Sequence, residues 1–373
     1  MKSRFLFRSM LVIGLTLMTT SSLAMASATS QPTATILKKI PLQEPLSIIY
    51  DPANGNVYSV TNWPNGTINV FHGTTQVANI PIPETDLEAE QDEVVVNPVN
   101  GNVYYLGTDR VVVIHGTQLL QAIDWHSLNF SSKAYTAPTA ITIDPRTGDV
   151  YVANDTDGQS NSQSDIEMFN KNGKYIKTLY FKDHVRVSGM AYNSHNNQLY
   201  VVDSDSALHN AGIDIFNGGK LVQRINFPYT YKGNEYGEFT GHIIYDYDTG
   251  LIYAEELTPP VDKNSPYFIG KLAIIRNSTI IHEIEIAPQS VGEWGQMSFD
   301  PKYNNIYMNF GASNVIQVIH NYSLLSFPVP IPEHNLGIGA VTVDTKSNQV
   351  YVLVTSWGGN GSRSYMDLVS LHK

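Results

Sequence analysis

The chain has 373 residues, of which 42% are hydrophobic and 15% are charged, and it contains no cysteine. The missing cysteine excludes disulfide frameworks, thiolate zinc sites and cysteine nucleophiles, and the hydrophobic content argues against a disordered chain. Because 23 Lys and Arg stand against 34 Asp and Glu, the net charge is −11 and a nucleic-acid partner is disfavoured.

Residues 1–26 have the pattern of a secretory signal peptide. Lys2, Arg4 and Arg8 precede an apolar run at 10–18, and small residues follow up to Ala24-Met25-Ala26. The run is shorter than the roughly 20 residues that span a bilayer, although an uncleaved membrane anchor is the alternative. We therefore expect an exported protein, in the periplasm, at the cell surface or in the medium, with no membrane span in the mature chain.

After a short linker at 27–33, an internal repeat runs through residues 34–373. In each unit an Asp or Asn is followed seven residues later by a Tyr, and successive units begin 44 to 54 residues apart. The first unit is predicted to contain four strands, PLSIIYD, VYSVTN, TINVFHG and QVANIPIP, joined by turns such as Asn54-Gly55. Four antiparallel strands in about 45 residues are typical of one propeller blade. The seven pairs are Asp51/Tyr58, Asn97/Tyr104, Asp144/Tyr151, Asn193/Tyr200, Asp246/Tyr253, Asp300/Tyr307 and Asp344/Tyr351.

The two ends of the repeat region predict a closed ring. The last unit supplies only three strands, and the segment Ala34–Ile40 ahead of the first unit resembles the fourth strands KYIKTLYF and KLVQRINF. We expect this segment to complete the last blade. The predicted fold is an all-β, seven-bladed propeller of four-stranded antiparallel blades, closed by an N-terminal strand.

Two units carry a family resemblance. DPANGNVYSVTN at 51–62 and DPRTGDVYVAND at 144–155 resemble the YVTN-type β-propeller repeat of microbial surface-layer and other exported proteins. The resemblance extends over about residues 34–373, and it departs from the family pattern in NSHNNQLY and DYDTGLIY, which lack the proline. It implies a WD40-like repeat fold and an exported compartment, but it implies no reaction, because propellers host many functions.

The predicted connections differ between the two faces of the ring. Those joining strands one to two and three to four are tight, whereas those joining two to three and each blade to the next are long. Long connections commonly carry function, so we call the second side the long-loop face. Indole rings there would stack on sugars or anchor a protein partner, or each would instead cap the core beneath its own loop. The candidate ligand-binding residues on this face are Trp63, Trp125, Trp294 and Trp357.

Acidic residues of the same face suggest a cation site. Asp155, Asp157 and Asp165 lie in DTDGQSNSQSD, whose opening resembles a calcium loop and whose oxygens suit a hard cation. The spacing does not complete an EF-hand, so a solvated loop is the alternative interpretation. The only cofactor that the sequence suggests is thus a divalent cation such as calcium.

The mouth of the central channel is where a propeller enzyme would act. The innermost strands begin there, and metal-dependent propeller hydrolases or lyases place their ligands at this point. Most residues at these positions are small or neutral. The candidate catalytic or metal-ligating residues are Glu93, Glu238, His242 and Glu293.

Three functions therefore stay open. The first is a non-enzymatic binding or scaffold module that recognises a protein, a glycan or a cell-envelope component through its long-loop face. The second is a metal-dependent hydrolase or lyase acting at the channel mouth. The third is a structural surface-layer subunit whose partner is a copy of itself.

Overall fold

Antiparallel strands and their turns make up the parts of the chain that the computed structural model describes. These parts are residues 32–42, 45–61, 66–82, 94–107, 110–124, 136–156, 165–180, 187–203, 212–226, 238–258, 267–290, 296–309, 313–332, 336–356 and 364–372. All of them belong to one unit, Pro32–Lys373. Within the described ranges no helix is long and apolar enough to cross a membrane.

The described residues form 28 strands, which assemble into seven four-stranded antiparallel sheets, here called blades 1 to 7. Blade 7 consists of β26, β27, β28 and β1, and each of the other blades uses four consecutive strands. The strands are β1 (Thr33–Leu42); in blade 1, β2 (Pro45–Asp51), β3 (Asn56–Thr61), β4 (Thr67–His72) and β5 (Thr75–Pro81); in blade 2, β6 (Val94–Val96), β7 (Asn102–Leu106), β8 (Arg110–His115) and β9 (Gln118–Asp124); in blade 3, β10 (Thr136–Ile143), β11 (Val150–Thr156), β12 (Asp165–Phe169) and β13 (Tyr175–Tyr180); in blade 4, β14 (Val187–Asn193), β15 (Gln198–Asp203), β16 (Gly212–Asn217) and β17 (Lys220–Asn226); in blade 5, β18 (Glu238–Asp246), β19 (Leu251–Thr258), β20 (Tyr267–Arg276) and β21 (Thr279–Ser290); in blade 6, β22 (Met297–Asp300), β23 (Asn305–Met308), β24 (Val315–His320) and β25 (Ser323–Pro328); and in blade 7, β26 (Leu336–Asp344), β27 (Gln349–Ser356) and β28 (Ser364–His372).

The N-terminal strand closes the ring as the sequence predicts. β1 pairs antiparallel with β28, from Thr33 opposite His372 to Leu42 opposite Ser364, with one irregularity between Ile36 and Lys38. The sheet order is β1-β28-β27-β26, so the outer strand of the last blade comes from the other end of the repeat region. The predicted seven-bladed propeller and its mode of closure are confirmed.

The repeated Asp or Asn shapes the turn that follows the first strand of every blade. In all seven blades its Oδ1 accepts a hydrogen bond, 2.8–3.0 Å long, from the backbone N–H two residues later. Such Asx turns favour tight reversals. The residue four positions after it has a positive φ in every blade, which Gly and Asn tolerate best. These residues are Gly55, Gly101, Gly148, Asn197, Gly250, Asn304 and Asn348.

The repeated Tyr packs on the second strand and links neighbouring blades. All seven rings are buried, Tyr151 being the most exposed at 7%. The hydroxyl of Tyr58 donates to the carbonyl of Gly116 in blade 2 at 2.9 Å, and that of Tyr104 donates to Lys171 in blade 3 at 3.0 Å. Tyr351 of blade 7 donates to Gly73 of blade 1 at 3.2 Å, so the same contact joins the last blade to the first.

The backbone requirement at the turn predicts different effects of two substitutions at one position. Asn348 is exposed and has a φ of 58°. We expect Asn348→Ala to lower the free energy of unfolding by about 1 kcal/mol, because an alanine is strained in the left-handed region. Asn348→Gly, which relieves that strain, should unfold at the wild-type denaturant concentration or slightly above it. Equal losses in the two variants, measured by urea unfolding, would contradict this explanation.

Candidate functional site

The first strands of the seven blades surround a central cavity of about 770 Å³. One end of this cavity is formed where those strands begin, at residues such as Ser47, Ser188 and His242. The other end is formed by the turns after the strands, at Pro52 and Pro98. The long connection from each preceding blade leads to the beginning of a first strand. We call that end the mouth, because it lies on the long-loop face.

The described residues that line the cavity include no Asp, Glu, Lys or Arg. Its polar groups are hydroxyls of Ser, Thr and Tyr, the amide of Gln296 and the imidazole of His242. Apolar side chains such as Ile49, Val95 and Met297 complete the wall. A ligand in the cavity therefore meets hydroxyl, amide and imidazole groups together with apolar surface.

His242 at the mouth is paired with a buried carboxylate. Its Nδ1 lies 2.6 Å from Oε2 of Glu255 on β19, and the side chains of His242 and Glu255 are 23% and 2% exposed. A carboxylate on one ring nitrogen fixes the orientation of the ring and raises the basicity of the other nitrogen. The Glu255 carboxylate therefore holds the His242 ring in one orientation at the wall of the cavity.

A local irregularity of β18 accompanies the placement of His242. The pairing of β18 with β19 shifts register between Phe239 and Ile243, and Gly241 has a φ of 96°. A Cβ added to Gly189 of blade 4 would lie 1.8 Å from the carbonyl oxygen of Gly241. Only a residue without a Cβ permits this contact, so the two glycines bring the first strands of blades 4 and 5 together beside the mouth.

Three oxygen atoms of the mouth residues have no hydrogen-bond partner among the described residues: Oγ of Ser47, Oγ of Ser188 and Oε1 of Gln296. The other side-chain atom of Gln296, Nε2, donates to the carbonyl of Ile48 at 2.9 Å and so joins blade 6 to blade 1. Buried polar atoms are normally paired with protein or ordered water, and leaving one unpaired costs about 1–3 kcal/mol. The residues of the mouth therefore carry three buried oxygens that accept no hydrogen bond from another described residue.

Of the four candidate catalytic residues, the structure describes the side chain of His242 alone. Glu93 and Glu293 lie outside the described residues, and only the backbone position of Glu238, at the start of β18, is described. Glu255 was not predicted from the sequence, although the repeat contains a signal for it. Two residues after the repeated Tyr, blades 1 and 2 carry Val60 and Leu106, whereas blade 5 carries an acid.

The candidate residues of the long-loop face are mostly outside the described part of the chain. This holds for Asp157 and for the four tryptophans, Trp63, Trp125, Trp294 and Trp357. The backbone of Asp155 lies on β11 opposite Ala137, so this residue belongs to a strand rather than to the predicted loop. Asp165 begins β12 opposite Asn154. Among the described residues, no group of three or more His, Asp or Glu is arranged to hold a metal ion.

Comparisons with known proteins place the chain by fold only. No family model and no curated protein matches it. Hydrazine synthase of Kuenenia stuttgartiensis matches with a TM-score of 0.61 and 14% identity, over 88% of this chain and 97% of that one. The Pan2 WD40 domain of Neurospora crassa matches with a TM-score of 0.57 and 11% identity, over 90% and 95%. At these identities the likeness is one of WD40-like propeller architecture.

Proposed function

We propose that this protein is an exported, non-enzymatic binding scaffold that holds a neutral, hydroxyl-rich ligand, such as the end of a glycan, at the mouth of its central cavity. The observation that carries the proposal is that Ser47, Ser188 and Gln296, each with a side-chain oxygen that lacks a described partner, line the same cavity as His242, in a wall whose described residues include no Asp, Glu, Lys or Arg. Sugar hydroxyls both donate and accept hydrogen bonds, so they match the hydroxyl, amide and imidazole groups of this wall.

The dimensions and surface of the cavity suit a sugar. Small-molecule sites commonly enclose roughly 300–1,000 Å³, with apolar walls and a few polar groups that fix orientation. The hydroxyls of Ser47 and Ser188 rotate about χ1 and can turn toward a ligand, whereas Gln296 is already held by its bond to Ile48. Indole rings of the long-loop face would extend this surface by stacking on further sugar units.

Export and a cell-envelope partner are part of the same proposal. The signal-peptide pattern of residues 1–26 supports export, as does the resemblance of the repeat to the YVTN type. A protein at the cell surface or in the periplasm is surrounded by polysaccharides. A glycan or glycosylated envelope component is therefore the partner that we favour over a bare protein surface.

Removing the imidazole of His242 is expected to weaken glycan binding by up to about tenfold, the upper end of what one neutral hydrogen bond contributes. The measurement is calorimetric titration of the wild-type protein and His242→Ala with cellotetraose, chitotetraose and maltotetraose. His282→Ala is the matched control, because His282 is exposed on the outer strand of the same blade and should keep full affinity. Absence of binding of all three sugars to the wild type would contradict the proposal, as would equal affinities of His242→Ala and wild type.

Acid–base catalysis at the mouth is a second candidate function, and the His242–Glu255 pair is the observation that favours it. A histidine held by a carboxylate is a common general base. In this alternative Glu93, Glu238 and Glu293 would supply further ligands or acid–base groups of a metal-dependent hydrolase or lyase. Incubating the wild type with the same sugars and with simple lactones, with and without Zn²⁺ or Ca²⁺, separates the two functions. Turnover that both His242→Ala and Glu255→Gln abolish would favour the enzyme, and substrates recovered intact would favour the scaffold.

A further inference from the structure

Two acidic side chains, one half-buried and one fully buried, lie between blades 2 and 3, away from the central cavity. Glu167 on β12 is fully buried, and Asp165 precedes it on the same face of the strand. This face packs toward blade 2, because Phe169 on the same side belongs to an apolar cluster with Leu106 and Val113. Neither oxygen of Glu167, nor Oδ1 of Asp165, accepts a hydrogen bond from another described residue.

An amide oxygen completes the cluster. Asn154 on β11 lies directly opposite Asp165, and it is 2% exposed. Its Oδ1 also has no hydrogen-bond partner among the described residues. Residues directly opposite each other on antiparallel strands have Cβ atoms about 5 Å apart and point to the same side of the sheet. The three side chains therefore lie together on the face of blade 3 that packs toward blade 2, and each carries an oxygen without a described partner.

In blade 4 an arginine neutralises two acids at the position that corresponds to this cluster. There Asp203 occupies the position of Asn154, and Asp214 occupies that of Glu167. The guanidinium of Arg224 binds both acids, with Nη2 2.9 Å from Asp203 and Nη1 2.8 Å from Asp214. Two acids at this site in blade 4 are thus held together by one positive group between them.

Blade 3 carries the acids without the arginine. The residue paired with Glu167 on the fourth strand is Thr178, whereas Asp214 is paired with Arg224. The hydroxyl of Thr178 is 2.8 Å from that of Tyr175 and supplies no charge. Burying these acids without a positive partner costs free energy, and a bound cation would remove that cost.

We propose that Asn154, Asp165 and Glu167 form a divalent-cation site, in which Ca²⁺ occupies the place that the Arg224 guanidinium takes in blade 4. Carboxylate and amide oxygens are the ligands that hard cations prefer, and Ca²⁺ tolerates irregular geometry with water in its remaining positions. Two carboxylates balance the charge of one divalent ion. The bound ion would tie β11 to β12 beside blade 2, so its effect is on stability and does not depend on the proposed glycan site.

Thermal unfolding of the full chain with and without calcium tests the site. After treatment with EGTA, millimolar CaCl₂ is expected to raise the melting temperature by about 4 °C, because a ligand bound only by the folded state stabilises it. Glu167→Gln, which keeps the size of the side chain but removes its charge, should abolish the rise. Asp165→Asn is the second variant, at a partly exposed position that tolerates a polar replacement, and it should also abolish the rise.

The matched control is Glu256→Gln in blade 5. Glu256 is fully buried, and burial raises its pKa to about 8, but Lys271 stands opposite it on the neighbouring strand. This variant should keep the full calcium response. No rise in the wild type, a rise that survives in Glu167→Gln or Asp165→Asn, or an equal rise with KCl at matched ionic strength would each overturn the proposal. Magnesium should act more weakly, because it demands stricter geometry.

Discussion

Removing β1 is expected to destabilise the propeller more than any single substitution. A chain that starts at Pro45 loses the partner of β28 from Thr33 to Leu42, and it uncovers the apolar residues against which Ile40 packs. Each lost backbone hydrogen bond contributes about 1 kcal/mol and each buried aliphatic side chain about 2 kcal/mol, partly offset by the entropy of the released strand. We expect a loss on the order of 5 kcal/mol, comparable to the whole stability of many domains.

The measurement is a thermal melt with size-exclusion chromatography, and a chain that starts at Pro32 is the matched control. The control keeps every residue of β1 and should melt like the full chain. The chain that starts at Pro45 should melt at least about 7 °C lower or aggregate through its open edge. A synthetic peptide of residues 32–42, added in excess, should restore part of the lost stability. Equal melting temperatures of the two truncated chains would show that β1 does not hold the ring closed.

A single methyl group at Gly189 is expected to have the next largest effect. In Gly189→Ala the new Cβ would lie 1.8 Å from the carbonyl oxygen of Gly241 and 2.6 Å from its carbonyl carbon. Both are backbone atoms of the adjacent blade, so no side-chain rotation relieves the overlap. Forcing apart two packed strands costs about 3 kcal/mol, and we expect urea unfolding to show a loss of this size.

Gly73→Ala separates this steric effect from backbone strain. Gly73 has a φ of 59° but nothing within 4 Å of an added Cβ, so its substitution should cost only about 1 kcal/mol. If Gly189→Ala costs no more than Gly73→Ala, the two strands are not in contact. Because that contact lies beside Ser188 and His242, any Gly189→Ala protein that folds should also bind glycans more weakly than wild type.

The architecture was predictable because its determinants are local and occur seven times. An Asp or Asn side chain that caps a turn, a residue with positive φ four positions later and a buried Tyr depend on short-range chemistry. Each of these sequence signals is weak in one blade, but its recurrence at the same spacing makes it strong. The recurrence stays recognisable where Asn348 takes the place of Gly. The closing strand was also visible, since three strands in the last unit require a fourth.

The candidate site was only partly predictable because it depends on irregular long-range contacts. His242 was identified from its position at the start of a strand, but its partner Glu255 lies across a register shift that the sequence does not reveal. The close approach of Gly189 to Gly241 depends on how two blades pack. The roles of the tryptophans and of the remaining candidate acids stay predictions.

A glycan at the mouth of the cavity would contact the imidazole of His242, so the signals of this ring test the proposed function. The measurement is a nuclear magnetic resonance titration of ¹⁵N-labelled histidine rings with the sugar that binds most tightly by calorimetry. We predict that the His242 ring signals shift and saturate with the calorimetric Kd, while those of His282 stay in place. Saturable sugar binding that leaves the His242 signals unmoved would place the ligand elsewhere and contradict the proposed function.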